Sequence, residues 1–66
     1  MRKAQLVKYT RRWADGREEE VYQARDAETG GALDQEVAEG GPLGFLAAVD
    51  RLRRRLAGRG YHLPSG

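Results

Sequence analysis

The sequence predicts a small two-layer α+β domain, in which an antiparallel β-hairpin or three-stranded sheet packs on one C-terminal α-helix. Three observations carry this reading. Residues 4–27 are rich in strand-forming types on either side of a central Asp15-Gly16. Gly40-Gly41-Pro42 then interrupts the chain. From Leu43 to Ala57 the apolar residues recur with the period of a helix. The order is β-β-(β)-α, with residues 1–66 read as a single domain.

The first strand spans about 4–13, AQLVKYTRRW, where Val7, Tyr9 and Trp13 fall at odd positions. Asp15-Gly16 suits the centre of a type I′ turn, in which both residues need positive φ. The second strand spans about 18–27 and contains Val21 and Tyr22. A two-residue loop pairs Arg12 with Glu19, Arg11 with Glu20 and Tyr9 with Tyr22. Opposite charges and aromatics then face each other, each pair contributing about 0.2–1 kcal/mol. The same register assigns Val7, Tyr9, Tyr22 and Ala24 to the core face.

Residues 26–31, DAETGG, form a turn. Residues 32–39 admit two conformations. Leu33, Gln35 and Val37 alternate as a third strand over about 32–37 would, while ALDQEVAE also has good helix propensity. The strand is preferred, because three strands cover a helix better than two. Pro42 suits a first helical turn, and the helix over about 43–57 aligns Phe45, Val49, Leu52 and Leu56 in one stripe with Ala48 beside it. Gly44 softens the first turn at a cost of about 1 kcal/mol relative to Ala. Gly58 and Gly60 end the helix. In the tail, 58–66, Tyr61, His62 and Leu63 fold back as an extended segment and Pro64-Ser65-Gly66 frays.

A chain of 66 residues has a marginal core, burying only about 60% of the surface exposed when unfolded. There is no cysteine, so disulfides and thiolate zinc sites are excluded. His62 is the only histidine and cannot build a metal site alone. No cofactor and no metal are expected, and oligomerisation is the expected added stabilisation. No run approaches the ~18 apolar residues of a membrane span, and no apolar stretch follows Arg2 and Lys3 as in a signal peptide. The expected location is cytoplasmic, with no membrane partner.

Charge is sorted along the chain. Residues 1–13 carry five cations and no anion, residues 14–40 carry nine anions against Arg17 and Arg25, and residues 41–66 carry five arginines against Asp50. A net charge of +2 thus hides strong local fields that select partners.

The residues needed for catalysis do not converge. Ser65 and His62 sit in a tail that no element orients, so they form no nucleophile–base pair. Glu18, Glu19 and Glu20 point alternately to both faces of a strand and serve as partners for Arg11 and Arg12. Gly40-Gly41-Pro42-Leu43-Gly44 lacks the Gly-Lys-Ser/Thr ending of a phosphate-binding loop. No catalytic residue and no small-molecule substrate are assigned, and the chain reads as non-enzymatic.

Binding chemistry is better represented. Arg51, Arg54 and Arg55 lie off the apolar stripe as a cationic helix face, with Arg59 just beyond. They either contact phosphates or an acidic protein, complement the helix dipole, or pair with the acidic block of the same chain or a sister subunit. Trp13 and Tyr9 alternate with Arg11, and Lys3, Lys8 and Arg12 lie close by. Such interleaving stacks on bases while binding phosphates, or simply packs a core.

Trp13, Asp15-Gly16, Tyr22, Arg25-Asp26-Ala27-Glu28-Thr29-Gly30, Gly44-Phe45 and the helix to Leu56 together resemble the arm-type DNA-binding domain of phage-type tyrosine integrases. The resemblance covers residues 13–56, about two-thirds of the chain, and rests on turn motifs. It implies a three-stranded sheet on one helix, with the sheet entering the major groove. The strands of that family are basic, whereas here the second strand opens with three glutamates and the third segment carries Asp34 and Glu36.

The sequence therefore reads as a small binding module, nucleic-acid-binding or regulatory through Lys3, Lys8, Arg11, Arg12, Trp13, Arg51, Arg54, Arg55 and Arg59. The alternative is a protein-interaction or homo-oligomeric module, whose acidic sheet edge meets the basic helix of a neighbour.

Overall fold

A computed structural model describes residues 1–64 of the chain. The elements are β1 (Arg2–Arg12), β2 (Glu18–Asp26), β3 (Ala32–Ala38), α1 (Pro42–Ala57) and β4 (Tyr61–His62). The sheet order is β3-β2-β1-β4, with β1, β2 and β3 antiparallel and β4 running parallel to β1. One helix packs on a sheet of three main strands, as the sequence predicts, and residues 32–38 are a strand. The expected fraying of Ser65 and Gly66 lies outside the described residues. Among the described residues, no helix is long and apolar enough to cross a membrane.

The hairpin turn differs from the expected one. The Trp13 N–H donates to the Arg17 carbonyl at 2.8 Å, and the Gly16 N–H donates to the Trp13 carbonyl at 3.0 Å. The loop is therefore three residues, Ala14-Asp15-Gly16, and only Gly16 takes a positive φ, 92°. A type I′ turn would force Asp15 into the left-handed region as well, whereas this loop asks it of glycine alone. The Asp15 carboxylate instead accepts the Arg17 backbone N–H at 3.0 Å and its Nε at 2.7 Å.

That extra loop residue shifts the register by one. Arg12 faces Glu18, Arg11 faces Glu19, and Tyr9 faces Val21 rather than Tyr22. The run Glu18-Glu19-Glu20 offers an acid in either register, so charge matching does not distinguish them. The expected core face is split as a result. Tyr22 and Ala24 are buried under the helix with Ala4, while Val7 and Tyr9 lie on the opposite face around Val21 and Val37.

The core joins Ala4, Tyr22 and Ala24 of the sheet to Ala48, Val49, Leu52 and Leu56 of α1 and to Tyr61 and Leu63 of the tail. Leu52, Leu56 and Leu63 are fully buried, and each such side chain contributes about 1.5–3 kcal/mol. Phe45, expected in the stripe, remains 41% exposed, with its ring tilted against Tyr22 at a centroid separation of 5.2 Å. Tyr61 and His62 fold back as the extended β4, as expected, and Leu63 joins the core. Gly60 takes φ 83° and turns the chain so that its carbonyl accepts the Arg2 N–H at 3.0 Å, whereas Gly58 stays right-handed at φ −65°.

Asp26 ties the same end together. It is buried, and its carboxylate accepts N–H groups of Glu28 (2.8 Å) and Thr29 (3.2 Å), the Tyr61 hydroxyl (2.9 Å) and the Arg2 guanidinium (2.7 Å). These donors, the Glu28 N–H foremost, hold its carboxyl below the usual carboxylate range. Donation to that carboxylate pushes the Tyr61 hydroxyl up.

Candidate nucleic-acid interface

Strand pairing sorts the charges of the sheet onto its two faces. Partners across an antiparallel ladder share a face. Glu18, Glu20, Asp26, Asp34 and Glu36 therefore all lie on the helix side, with Ala4, Tyr22 and Ala24. Gln5, Val7, Tyr9, Arg11, Glu19, Val21, Gln23, Arg25, Gln35 and Val37 form the face that no helix covers. Glu19 is the one acid in that set, and it is neutralised in place. The Trp13 indole N–H reaches it at 2.6 Å and Arg11 at 3.2 Å, and these donors hold its carboxyl below the usual range.

The acids on the helix side are taken up by the helix. Arg55 forms a fork on Asp34 at 2.7 and 3.1 Å and reaches Glu36 at 3.1 Å, and Arg51 also pairs with Glu36. Both carboxyls are held low, chiefly by Arg55 for Asp34 and by Arg51 for Glu36, and Arg55 is held protonated. Arg54 pairs with Asp50 one turn back at 3.0 Å, and Arg59 donates to the Leu33 carbonyl at 2.9 Å. The helix and strand charges that the interaction reading sets between copies thus meet within one chain.

The remaining residues nominated from the sequence divide between the ends of β1. Arg11, Arg12 and Trp13 gather at the hairpin end, where Arg12 pairs with Glu18 and the Arg11 guanidinium lies 5.1 Å from the Trp13 ring centre. Arg17, which was not nominated, stacks on the same ring at 5.9 Å. Lys8 approaches Glu20 only at 4.0 Å. Lys3 lies at the far end and makes no ion pair among the described residues. Lys8 and Arg12 share the helix side with the helix arginines while Lys3 and Arg11 fall on the uncovered face, so the nominated cations do not form one surface.

The uncovered face has its own polar row, which charge counting misses. The Arg25 Nε donates to the Gln23 side-chain oxygen at 2.8 Å. The Gln23 amide N–H and the Tyr9 hydroxyl both donate to the Gln35 side-chain oxygen, each at 3.3 Å. A glutamine amide presents a donor and an acceptor side by side, which matches the adenine edge, and an arginine fork matches guanine. The bonds at 3.3 Å are long and therefore weak. A sequence signal existed in the odd-numbered Gln5, Gln23, Arg25 and Gln35, but it needs the correct register to place them together.

Fold and site define a small α+β domain with one helix-covered sheet face and one polar sheet face. No family model matches the chain, and no curated protein or solved structure matches it either.

Proposed function

We propose that this domain binds duplex nucleic acid through the uncovered face of its sheet. The observation that carries the reading is the sorting of charge. The acids of β2 and β3 turn to the helix side, where Arg51 and Arg55 answer Asp34 and Glu36, and the open face displays Gln5, Tyr9, Gln23, Arg25 and Gln35. The glutamates that set this chain apart from the integrase arm-type domain thus leave that face free, apart from the capped Glu19. Two or three strands spaced about 4.8 Å apart suit a major groove about 12 Å wide. Arg25, Gln23 and Gln35 would contact base edges. Lys3, Arg11 and Arg17 at the margins would contact phosphates, which position the sheet without reading sequence.

The test is fluorescence anisotropy on a pool of random duplexes over a salt series, followed by selection of bound sequences. Three or so phosphate contacts give a log–log salt slope near −3, at about −0.9 per phosphate. The double variant Gln23→Ala/Gln35→Ala should lose most sequence preference, and Arg25→Ala should weaken binding about tenfold or more, from an expected 1–3 kcal/mol per base contact. Arg51→Ser/Arg54→Ser should leave binding nearly unchanged. Binding abolished by the helix variant and indifferent to the sheet variants would refute this face.

A further inference from the structure

We infer that the free edge of β1, with the apolar groove beside it, accepts an extended acidic peptide as an added strand, at a surface distinct from the uncovered sheet face. β4 covers β1 only at Arg2 and Lys3. Beyond them the outer edge of β1 has no partner strand among the described residues. The hydrogen bonds Trp13 N–H to Arg17 O and Ala27 N–H to Lys3 O set the alternation of the ladder with β2. Odd-numbered residues of β1 spend their backbone groups on β2. The N–H and C=O groups of Leu6, Lys8 and Thr10 consequently point outward, as a template for another strand.

Beside that edge lies a groove of about 740 Å³, walled by Leu6 of β1, Phe45, Leu46 and Val49 of α1, and Leu63 of the tail. Leu6, Phe45 and Leu46 are 38%, 41% and 57% exposed, large apolar side chains left uncovered at one place. Cations lie in and beside it. Lys8, two residues after Leu6 on the same face of β1, makes among the described residues a single ion contact, to Glu20 at 4.0 Å. Arg53 lines the groove with Ala4 and, among the described residues, donates only to the Leu63 carbonyl at 3.4 Å.

Charge selects the occupant. Two copies joined edge to edge at β1 about a two-fold centred on Lys8 would set Lys8 against Lys8. Like charges directly opposite destabilise a strand pair, and cations on an edge commonly guard it against self-pairing. An incoming acidic strand turns the same charges into attraction. Side chains of an added strand alternate faces, so every second residue enters the groove. The residue beside Leu6 would be large and apolar. Those two positions away on either side, near Lys8 and near Arg53, would be acidic. The partner is thus an extended segment of the pattern acid–x–large apolar–x–acid.

The test uses the intact chain and three short fluorescein-labelled peptides: one carrying Asp-x-Leu-x-Glu between polar residues, one with both acids replaced by lysine, and one with the leucine replaced by asparagine. Anisotropy should show the acidic peptide binding at least tenfold tighter than either control. Amide exchange at Leu6, Lys8 and Thr10 should slow in its presence. Leu46→Glu, at an exposed position, should abolish binding while leaving the melting curve unchanged, and Thr10→Pro should weaken it by removing an outward N–H. Equal binding of the acidic and basic peptides would overturn the inference, as would no binding of the acidic one up to about 1 mM. Protection confined to the β3 edge, or a dimer in sedimentation that buries the β1 edge, would overturn it as well.

Discussion

Alanine at position 44 should lower stability, although helix propensity argues the reverse. In an unobstructed helix, Gly→Ala stabilises by about 1 kcal/mol. Here the chain entering α1 passes against Gly44 so closely that an added Cβ would lie 1.9 Å from the Glu39 carbonyl oxygen and 2.8 Å from its carbon. Ordinary contact begins near 3.5 Å. The obstacle is backbone, so no side chain can rotate away, and the 39–41 segment must move. Overpacking of this kind costs typically 1–3 kcal/mol. Taking the upper end for a backbone clash and subtracting the propensity gain leaves a net loss of about 2 kcal/mol. For a domain this small each kcal/mol shifts Tm by about 4–8 °C, so Gly44→Ala should melt some 8–16 °C lower. Gly58 is an internal control. Its φ is −65°, and an added Cβ would sit 3.5 Å from the Arg55 carbonyl oxygen, an ordinary contact. Gly58→Ala should therefore raise stability by about 0.5–1 kcal/mol. Thermal unfolding followed by circular dichroism, at several protein concentrations, measures both. A Gly44→Ala protein that melts at or above the unsubstituted chain would refute the close approach of Glu39.

Three further outcomes concern the carboxylates and an arginine that pairs with them. Asp26, Asp34 and Glu36 all have folded-state pKa values below the ordinary ones. Their contribution is therefore fully present above the unfolded values near pH 4, and it is lost as pH falls through the folded ones. Tm should be flat above about pH 5 and fall below about pH 4. Asp26→Asn should lower Tm at neutral pH and flatten that acid limb, as a pH series of melting curves would show; an unchanged acid limb would remove Asp26 from its cause. Arg55→Ala should cost about 1 kcal/mol, because its half-exposed fork is screened by solvent. The loss should shrink in high salt, while duplex affinity stays within about twofold, since Arg55 faces away from the proposed surface; a large affinity loss would return the helix to the binding site.

Local chemistry in the sequence determined much of this protein. The strand–turn–strand of residues 4–27, the third strand, the Pro42 start of the helix and its Val49-Leu52-Leu56 stripe all follow from residue type and spacing, which act over a few neighbours. The basic–acidic–basic order also told that cations and anions would meet. Tertiary structure alone decided which ones meet and on which face. One extra loop residue moved the hairpin register. Three consecutive glutamates made both registers equal in charge, and what separates them is that Ala4, rather than Val7 and Tyr9, shares the helix side with Tyr22 and Ala24. The helix arginines stand out in the sequence as a binding face, and they are occupied because β3 brings Asp34 and Glu36 beneath them. The polar row of Arg25, Gln23, Gln35 and Tyr9 is scattered over 27 positions of sequence and becomes one surface only through two ladders. Gly44 shows the same division: its identity reads as a weak helix former, and its need arises from the Glu39 backbone that long-range packing lays against it. Period and propensity are properties of a segment, whereas register, charge pairing and close approach are properties of segments that meet.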